Sequence, residues 1–431
     1  MSNFYCHPGR AGGSPGFARA CALAVTAAGV LKGEAALTLS AEARMRADAY
    51  ANARLVAGDD YRQGLFRGTV GADLRLDRHV RIHGEAGTGQ VHDRRGAAGA
   101  NFQNEASLQQ VFVEVGGQAG GTLVGAMAGR QEFADGPRQL ISVGDGPNVH
   151  RTWNGLRLQA QGRRLRAGAF DLRATRLARG AFDETIDHGE RLQGVNASLA
   201  LPSEGGTDAY LEPFWFHTEK PGFRAGGQVG LDDRDTFGLR FRGRRGGLAY
   251  DWTLAHQSGR YLKRGIDAWG LFAVQSLALA GGGWKPALTA HLDLATGGAY
   301  GGGTLKAFNP LYASSGYLGE GQFLGLCNLV MIAPGLAVTP SPRTALSAEY
   351  GFARRFDARD AAYAGGQRAY AGTQKVPGRD LGGLLRVMGS WSASASLTLF
   401  FNYEHFAAGG VLTRARLRSG SYAYAGATFR Y

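Results

Sequence analysis

Arginines alternate with small and apolar residues in several stretches of the sequence. These arginines are Arg44, Arg46, Arg75, Arg130, Arg151, Arg157, Arg240 and Arg242, and the acids Glu42, Asp48 and Glu132 lie near them. A planar guanidinium binds a carboxylate through two parallel hydrogen bonds. Several such groups along one path would bind an anionic solute weakly and repeatedly, which is the chemistry of transport.

Strict alternation of apolar and polar residues predicts β-strands that position these side chains. In 37–49 one face holds Leu, Ala and Met, and the other holds Thr, Ser, Glu, Arg and Asp. The stretches 248–254, 288–294, 346–352 and 393–403 repeat the pattern. The apolar faces are rich in alanine, leucine and aromatic residues, whereas a soluble β-sandwich would use bulkier inward residues. We therefore predict an all-β chain with a lipid-facing wall and a polar lumen.

The cost of burying charge in lipid predicts which way the arginines point. An arginine on the lipid side costs roughly 2–4 kcal/mol near the membrane midplane. If Leu156 and Leu158 face lipid, Arg157 faces the lumen, and Arg151 does so by the same parity. Strand parity alone gives the same orientation to Arg44, Arg46, Arg75, Arg240 and Arg242.

A second stretch gives two further inward candidates. If Leu123 and Met127 face lipid, Arg130 and Glu132 face inward. Acidic side chains among lumenal arginines would pair with them and keep an anionic polymer from binding too strongly to leave. The acids predicted to act in this way are Glu132, Glu42 and Asp48.

Connection lengths support a membrane barrel. Short turns are predicted near 77–78, 116–119, 162, 202–206, 246, 281–284 and 389–391, and long polar loops near 50–65, 91–103, 133–150, 174–191, 218–234 and 354–379. Short and long connections alternate, as periplasmic turns and extracellular loops do in bacterial barrels. With one more strand near 322–333, the prediction is a single antiparallel barrel of about eighteen strands.

Composition narrows the classes of function. The chain has 431 residues with 68 glycines, and its net charge of +13 implies an anionic partner: nucleic acid, anionic lipid or a polyanion. Of the three cysteines, Cys6 and Cys21 fall in a predicted leader, so neither a disulfide framework nor a metal site follows. The sequence also contains no recognisable catalytic set or phosphate-binding glycine motif. We predict that the chain is not an enzyme and has no cofactor.

The first 35 residues have the pattern of a secretory signal peptide. The apolar run 20–31 is shorter than the roughly 20 apolar residues that a membrane-spanning helix needs. Arg10 and Arg19 precede it, and the small residues Gly33 and Ala35 follow it. The expected division is therefore a signal peptide over 1–35, cleaved after Ala35, and an outer-membrane barrel over 36–431.

Several motifs also carry a family resemblance. They are GRQE at 129–132, RQL at 138–140, GPNVHRTWNGLRL at 146–158, DTFGLRF at 235–241, GTLKAFNPLY at 303–312 and GYLGEGQFLGLCNLVMIAPGL at 316–336. In these motifs the chain resembles the alginate export family of outer-membrane proteins. The resemblance implies an eighteen-stranded monomeric barrel that passes the polyuronate alginate out of the cell. By motif position, it also implies that Arg130 and Arg151 belong to an arginine-lined constriction.

Together these observations predict a passive, anion-selective channel in the bacterial outer membrane. Its expected partners are a uronate polymer or small anionic solutes, membrane lipid and lipopolysaccharide, and periplasmic export proteins, with no nucleic acid. The chain is shorter than the best-known exporters, which leaves the cargo open. A porin for the uptake of small anions, a soluble β-sandwich binding protein and a barrel enzyme remain as alternatives.

Overall fold

The computed structural model describes residues 28–30, 35–135, 139–202, 208–280 and 282–431. The predicted signal peptide therefore lies almost entirely outside the described residues, and so does most of the segment around its cleavage point. Ala28–Val30 is described as a short strand that pairs with the start of the first long strand, at Ala36–Thr38.

Eighteen long antiparallel strands form the wall of a closed barrel. In chain order, β1 to β18 are Ala36–Ala51, Tyr61–Arg75, Val80–His92, Asn104–Ala119, Thr122–Glu132, Thr152–Gln161, Leu165–Arg176, Thr185–Ala200, Asp208–Ala225, Gln228–Arg245, Leu248–Tyr261, Arg264–Ala278, Ala287–Ala295, Leu329–Ser341, Thr344–Arg354, Asp380–Ser392, Leu397–Ala408 and Gly420–Arg430. The first strand pairs with β2 and with β18, and this pairing closes the sheet. The predicted eighteen-stranded barrel is confirmed, and the β-sandwich alternative is excluded.

The remaining elements are short and lie in the connections. They are a helix at Gly410–Arg414, 3-10 turns at Ala53–Leu55, Gly365–Gln367 and Thr373–Lys375, and a two-stranded pair formed by Tyr363–Ala364 and Arg368–Ala369. Within the described residues, no helix is long and apolar enough to cross a membrane.

Short turns lie at one end of the barrel and most long loops at the other. Because short turns of bacterial barrels are periplasmic, the turn end faces the periplasm. The long loop predicted near 218–234 is wrong, since β9 and β10 run through this stretch and meet at the two-residue turn 226–227. Their polar ends resemble a loop in sequence because strand pairing continues beyond the apolar band. The predicted turn near 389–391 lies at 393–396.

The two faces of the wall differ as the alternation requires. On β1, Met45 is 62% exposed on the outer face, whereas Arg44 and Arg46 are buried on the inner face. Leu156 and Leu158 on β6 are also exposed, and Arg157 between them faces inward. Directly opposed residues of antiparallel strands share a face, so the register extends this assignment around the barrel.

In the part of the chain that the structure describes, two long loops fold into the lumen. The loop 133–151 meets the loop 296–328 at an isolated bridge between Ile141 and Tyr312. The Trp153 ring packs edge-on against that of Tyr312, with the centroids 4.7 Å apart. Apolar side chains of the wall, including Phe170 and Phe216, are buried in the same cluster. The strand predicted near 322–333 starts only at β14, because the residues before it belong to this inward loop.

The outer face gives a direct test of the membrane assignment. Met45→Arg is expected to lower the free energy of unfolding by about 2–4 kcal/mol, because its side chain is exposed on the lipid side near the middle of β1. Leu76→Arg, at a periplasmic turn, should cost at most about 1 kcal/mol. Denaturant titration of the barrel in lipid vesicles measures both, and equal costs would contradict the membrane depths assumed for the two residues.

Candidate functional site

Two arginines of the wall hold the loop 133–151 in the lumen. Arg44 donates to the backbone oxygens of Asp145 and Pro147 at 2.8 and 2.7 Å and to the Asp145 carboxylate at 3.2 Å. Arg67, directly opposite on β2, donates to the same carboxylate at 2.7 Å. Alternation in the sequence indicates Arg44 but not Arg67, because Arg67 follows two consecutive apolar residues that obscure its parity.

His150 connects this anchor to Glu132. Its Nδ1 lies 2.5 Å from Glu132 Oε1, and its Nε2 lies 2.8 Å from Asp145 Oδ1. Glu132 therefore contacts a histidine where an arginine partner was predicted. Burial alone would lower the pKa of His150, but the two carboxylates outweigh it and raise the pKa to about 9. The imidazolium is thus part of the loop anchor at neutral pH.

The raised pKa predicts a pH dependence of the loop. A histidine whose pKa rises on folding contributes stability that is complete below its ordinary value and disappears as the pH passes the folded value. The anchor should therefore weaken as the pH rises from about 6.5, the ordinary pKa of histidine, to about 9, the pKa of His150 in the anchored loop. We expect current fluctuations in planar bilayers to increase over that range. His150→Gln should remove the pH dependence, and an unchanged dependence in this variant would contradict the assignment.

A second anchor holds the loop 296–328. Arg386 donates to the backbone oxygens of Gly316 and Tyr317 at 2.9 and 3.1 Å, and its ion pair with Glu349 is 2.7 Å long. Glu404 accepts from the backbone N–H groups of the next turn of the loop, at 320 and 321. This anchor was not predicted, although Arg386 lies between Leu385 and Val387 in an alternating stretch.

Near the first anchor, the other inward charged side chains of β1 are paired. Arg46 makes a two-pronged pair with Asp48, at 2.7 and 3.1 Å, and its guanidinium lies over the Tyr424 ring. Glu42 accepts from Arg67 at 2.6 Å and from Arg430 at 2.9 Å. The structure thus brings Arg44, Arg46, Glu42 and Asp48 together on one lumenal face.

Arg151 lies between the two inward loops. It donates to the backbone oxygens of Ser142 and Tyr312 at 3.0 and 2.9 Å, and its guanidinium lies 5.1 Å from the centroid of the Tyr312 ring. Burial lowers the pKa of Arg151. In this conformation Arg151 joins the loops to each other, and its donors are partly used in doing so.

The predicted inward orientation of Arg130 is wrong. Arg130 opposes Val111, which is exposed on the outer wall, so the two residues share the outer face. Its guanidinium binds Glu184 at 2.7 Å, the Leu108 backbone oxygen at 3.0 Å and Asn154. The premise failed because Met127 directly opposes Glu114 and Arg157 and so faces the lumen. Arg130 fastens the loop 177–184 to the wall.

A second group of inward arginines lies near the periplasmic turns. Arg240 pairs with Asp251 at 2.7 Å and with Glu212 at 3.1 Å. Arg242 also binds Glu212, at 2.9 Å, and stacks over Tyr210. These side chains lie within five residues of the end of β10. Two guanidiniums and two carboxylates thus form one ion-pair network in this part of the wall, with Glu212 bound to both arginines.

Arg157 and Arg75 belong to the same periplasmic half. Arg157 donates to Gln131 at 3.2 Å and lies over the Phe133 ring. Arg75 ends β2, with its side chain 45% exposed and 3.6 Å from Asp73. The lumen therefore has two tiers of inward arginines, one in a periplasmic vestibule and one that holds the loops halfway along.

Comparison with known proteins agrees with this architecture. The chain is similar to OpdK of Pseudomonas aeruginosa, solved with vanillate, at 11% identity and a TM-score of 0.57 over 91% of this chain and 98% of that one. For OccD3 (OpdP) of the same organism the identity is 12% and the TM-score 0.61, over 95% of this chain and 94% of that one. For OccAB1 of Acinetobacter baumannii the identity is 10% and the TM-score 0.58, over 92% of this chain and 96% of that one. At these identities the likeness concerns the fold.

A family model adds what the fold alone does not give. No curated protein matches the sequence. The model of the family described as Alginate export matches residues 35–425, which is nearly all of the barrel. The chain therefore belongs to the alginate export family, as a channel-forming barrel of the bacterial outer membrane.

Proposed function

We propose that the channel passively conducts anionic solutes, and that its cargo is an acidic polysaccharide of the alginate type leaving the cell. The observation that carries the proposal is the inward orientation of wall arginines among the described residues, six of which carry the argument. They are Arg44, Arg46, Arg67, Arg157, Arg240 and Arg242. Fixed cations in a narrow aqueous path lower the entry barrier for anions and raise it for cations.

The acids beside these arginines determine how tightly each site holds a carboxylate. Glu42, Asp48, Glu212 and Asp251 each occupy part of a neighbouring guanidinium. A uronate must exchange with these internal partners, so each contact is weak. Weak sites in series allow a polymer to advance one residue at a time, because no single site retains it.

The inward loops support a second candidate, the uptake of small anions. The loops 133–151 and 296–328 are held across the lumen by several hydrogen bonds each, which favours small solutes unless the loops move. OpdK, which has the same fold, was solved with vanillate. In either case we infer a single barrel embedded in lipid and lipopolysaccharide, without catalysis, and supplied by periplasmic partners if it exports.

Block of the channel current by uronate oligomers tests the proposal. We expect oligouronates of increasing length to reduce the current of single channels in planar bilayers, and neutral oligosaccharides of equal length to have little effect. Equal block by both would contradict selection by charge. Permeation of single carboxylates without block by the oligomers would favour uptake of small anions over export.

A further inference from the structure

Unpaired cations cluster on one arc of the periplasmic rim. Two adjacent arginines, Arg163 and Arg164, form most of the turn between β6 and β7, and Arg244 and Arg245 end β10. All four are exposed. In the part of the chain that the structure describes, none of their guanidiniums has a hydrogen bond or an ion pair. This distinguishes them from the vestibule arginines, each of which has an internal partner.

The arc is continuous with the inward arginines above it. Arg157 lies on the strand that leads into the first turn, four residues before its end. Arg240 and Arg242 lie on the strand that ends in the second pair. An anion on the rim therefore has further guanidiniums ahead of it along both strands. Two acids of this sector, Glu212 and Asp251, are engaged by Arg240 and Arg242. A third, Asp208, directly opposes Arg244 and forms no ion pair with any described residue.

The spacing of the two pairs favours a polymer over a small anion. Four strand intervals separate the turn after β6 from the turn after β10. At about 4.8 Å per interval, the two pairs are about 19 Å apart along the rim. A single carboxylate reaches only one exposed pair, which is a weak, solvent-screened site. A chain with a charge on every sugar reaches both pairs at once, and its second contact is intramolecular.

We propose that Arg163, Arg164, Arg244 and Arg245 form a landing site that captures a linear polyanion from the periplasm and feeds it to the vestibule. The inference rests on the proposed export of an acidic polysaccharide and adds the point of entry. The site selects for chain length, because only a polyvalent anion spans both arginine pairs. Capture at a cationic entrance raises the rate of association, and added salt weakens it.

Side-specific block measures this capture. Long polyuronate is added to the turn side or the loop side of oriented channels, and the rate of current block is recorded for a variant with all four arginines replaced by glutamine. From the turn side we expect the rate to fall by about tenfold or more. A uronate dimer should show a much smaller change. Arg343→Gln, at the turn between β14 and β15 outside the arc, serves as the matched control.

The outcomes separate this inference from the proposed function. Undiminished block of the fourfold variant from the turn side would overturn the landing site while leaving export intact. Absence of block of the unmodified channel from either side would instead contradict polysaccharide passage. Loss of binding to vesicles containing anionic phospholipid, with polymer block unchanged, would assign the arc to lipid headgroups and also overturn the inference. An equal fall in the rate of current block with Arg343→Gln would show that the effect comes from the overall charge of the protein.

Discussion

Loss of the first loop anchor is expected to increase the single-channel conductance. In the double variant Arg44→Met and Arg67→Met, the loop 133–151 loses the four hydrogen bonds that the two guanidiniums donate to Asp145 and Pro147. Hydrogen bonds to charged groups contribute about 1.5–3 kcal/mol each. The inward position of the loop should therefore lose population by about tenfold or more relative to displaced positions.

Planar-bilayer recording measures this change, with Arg62→Met as its control. Arg62 lies on the same strand as Arg67 but opposes Ala49 on the outer face, so its replacement removes a positive charge without touching the loop. A higher mean conductance in the double variant alone would support the anchor. A conductance equal to that of the control would show that the loop is held in the lumen by other contacts.

Removing either partner of the vestibule ion pairs is expected to shift ion selectivity in opposite directions. Glu212 accepts from both Arg240 and Arg242. Glu212→Gln leaves these two guanidiniums less compensated and should make the channel more anion-selective, whereas Arg242→Gln should make it less so. The interaction between two unit charges about 4 Å apart is about 1 kcal/mol in water. For a permeating ion, this corresponds to a change of about fivefold in the permeability ratio.

Reversal potentials in a KCl gradient give that ratio directly. Asp171→Asn is the matched control. Asp171 pairs with Arg191 on the outer face, so its replacement removes the same charge at a place away from the lumen. A shift of equal size in this control would indicate an effect of net charge. Shifts in the same direction for Glu212→Gln and Arg242→Gln would contradict the vestibule assignment.

Alternation predicted the barrel well wherever the lumen is polar. On β1 the exposed Met45 and the buried Arg44 and Arg46 follow a strict period of two, because lipid and water solvate opposite faces. The prediction failed around Arg130, because the apolar Met127 lies on the lumenal face opposite Glu114 and Arg157. An apolar residue on the lumenal face therefore gave the wrong parity for this stretch.

The loop anchors were beyond prediction from local pattern. Arg67 and Asp145 are 78 residues apart, and Arg386 and Gly316 are 70 apart. Only the closure of the barrel and the inward course of the loops bring these groups together. Their residue types were visible in the sequence, but their pairing depends on tertiary structure. The prediction of a loop over 218–234 failed for a different reason. The two strands continue to pair through this stretch, and their pairing there does not need an apolar face.

The central claim is that guanidiniums line a water-filled lumen inside a lipid-facing wall, and adjacent positions on β6 test it most directly. In a variant with Cys6, Cys21 and Cys327 replaced by serine, Arg157→Cys or Leu158→Cys is treated with membrane-impermeant anionic or cationic methanethiosulfonate reagents during recording. We predict that the anionic reagent at Arg157→Cys lowers anion selectivity, that the cationic reagent raises it, and that Leu158→Cys responds to neither. A response at Leu158→Cys with none at Arg157→Cys would contradict the account.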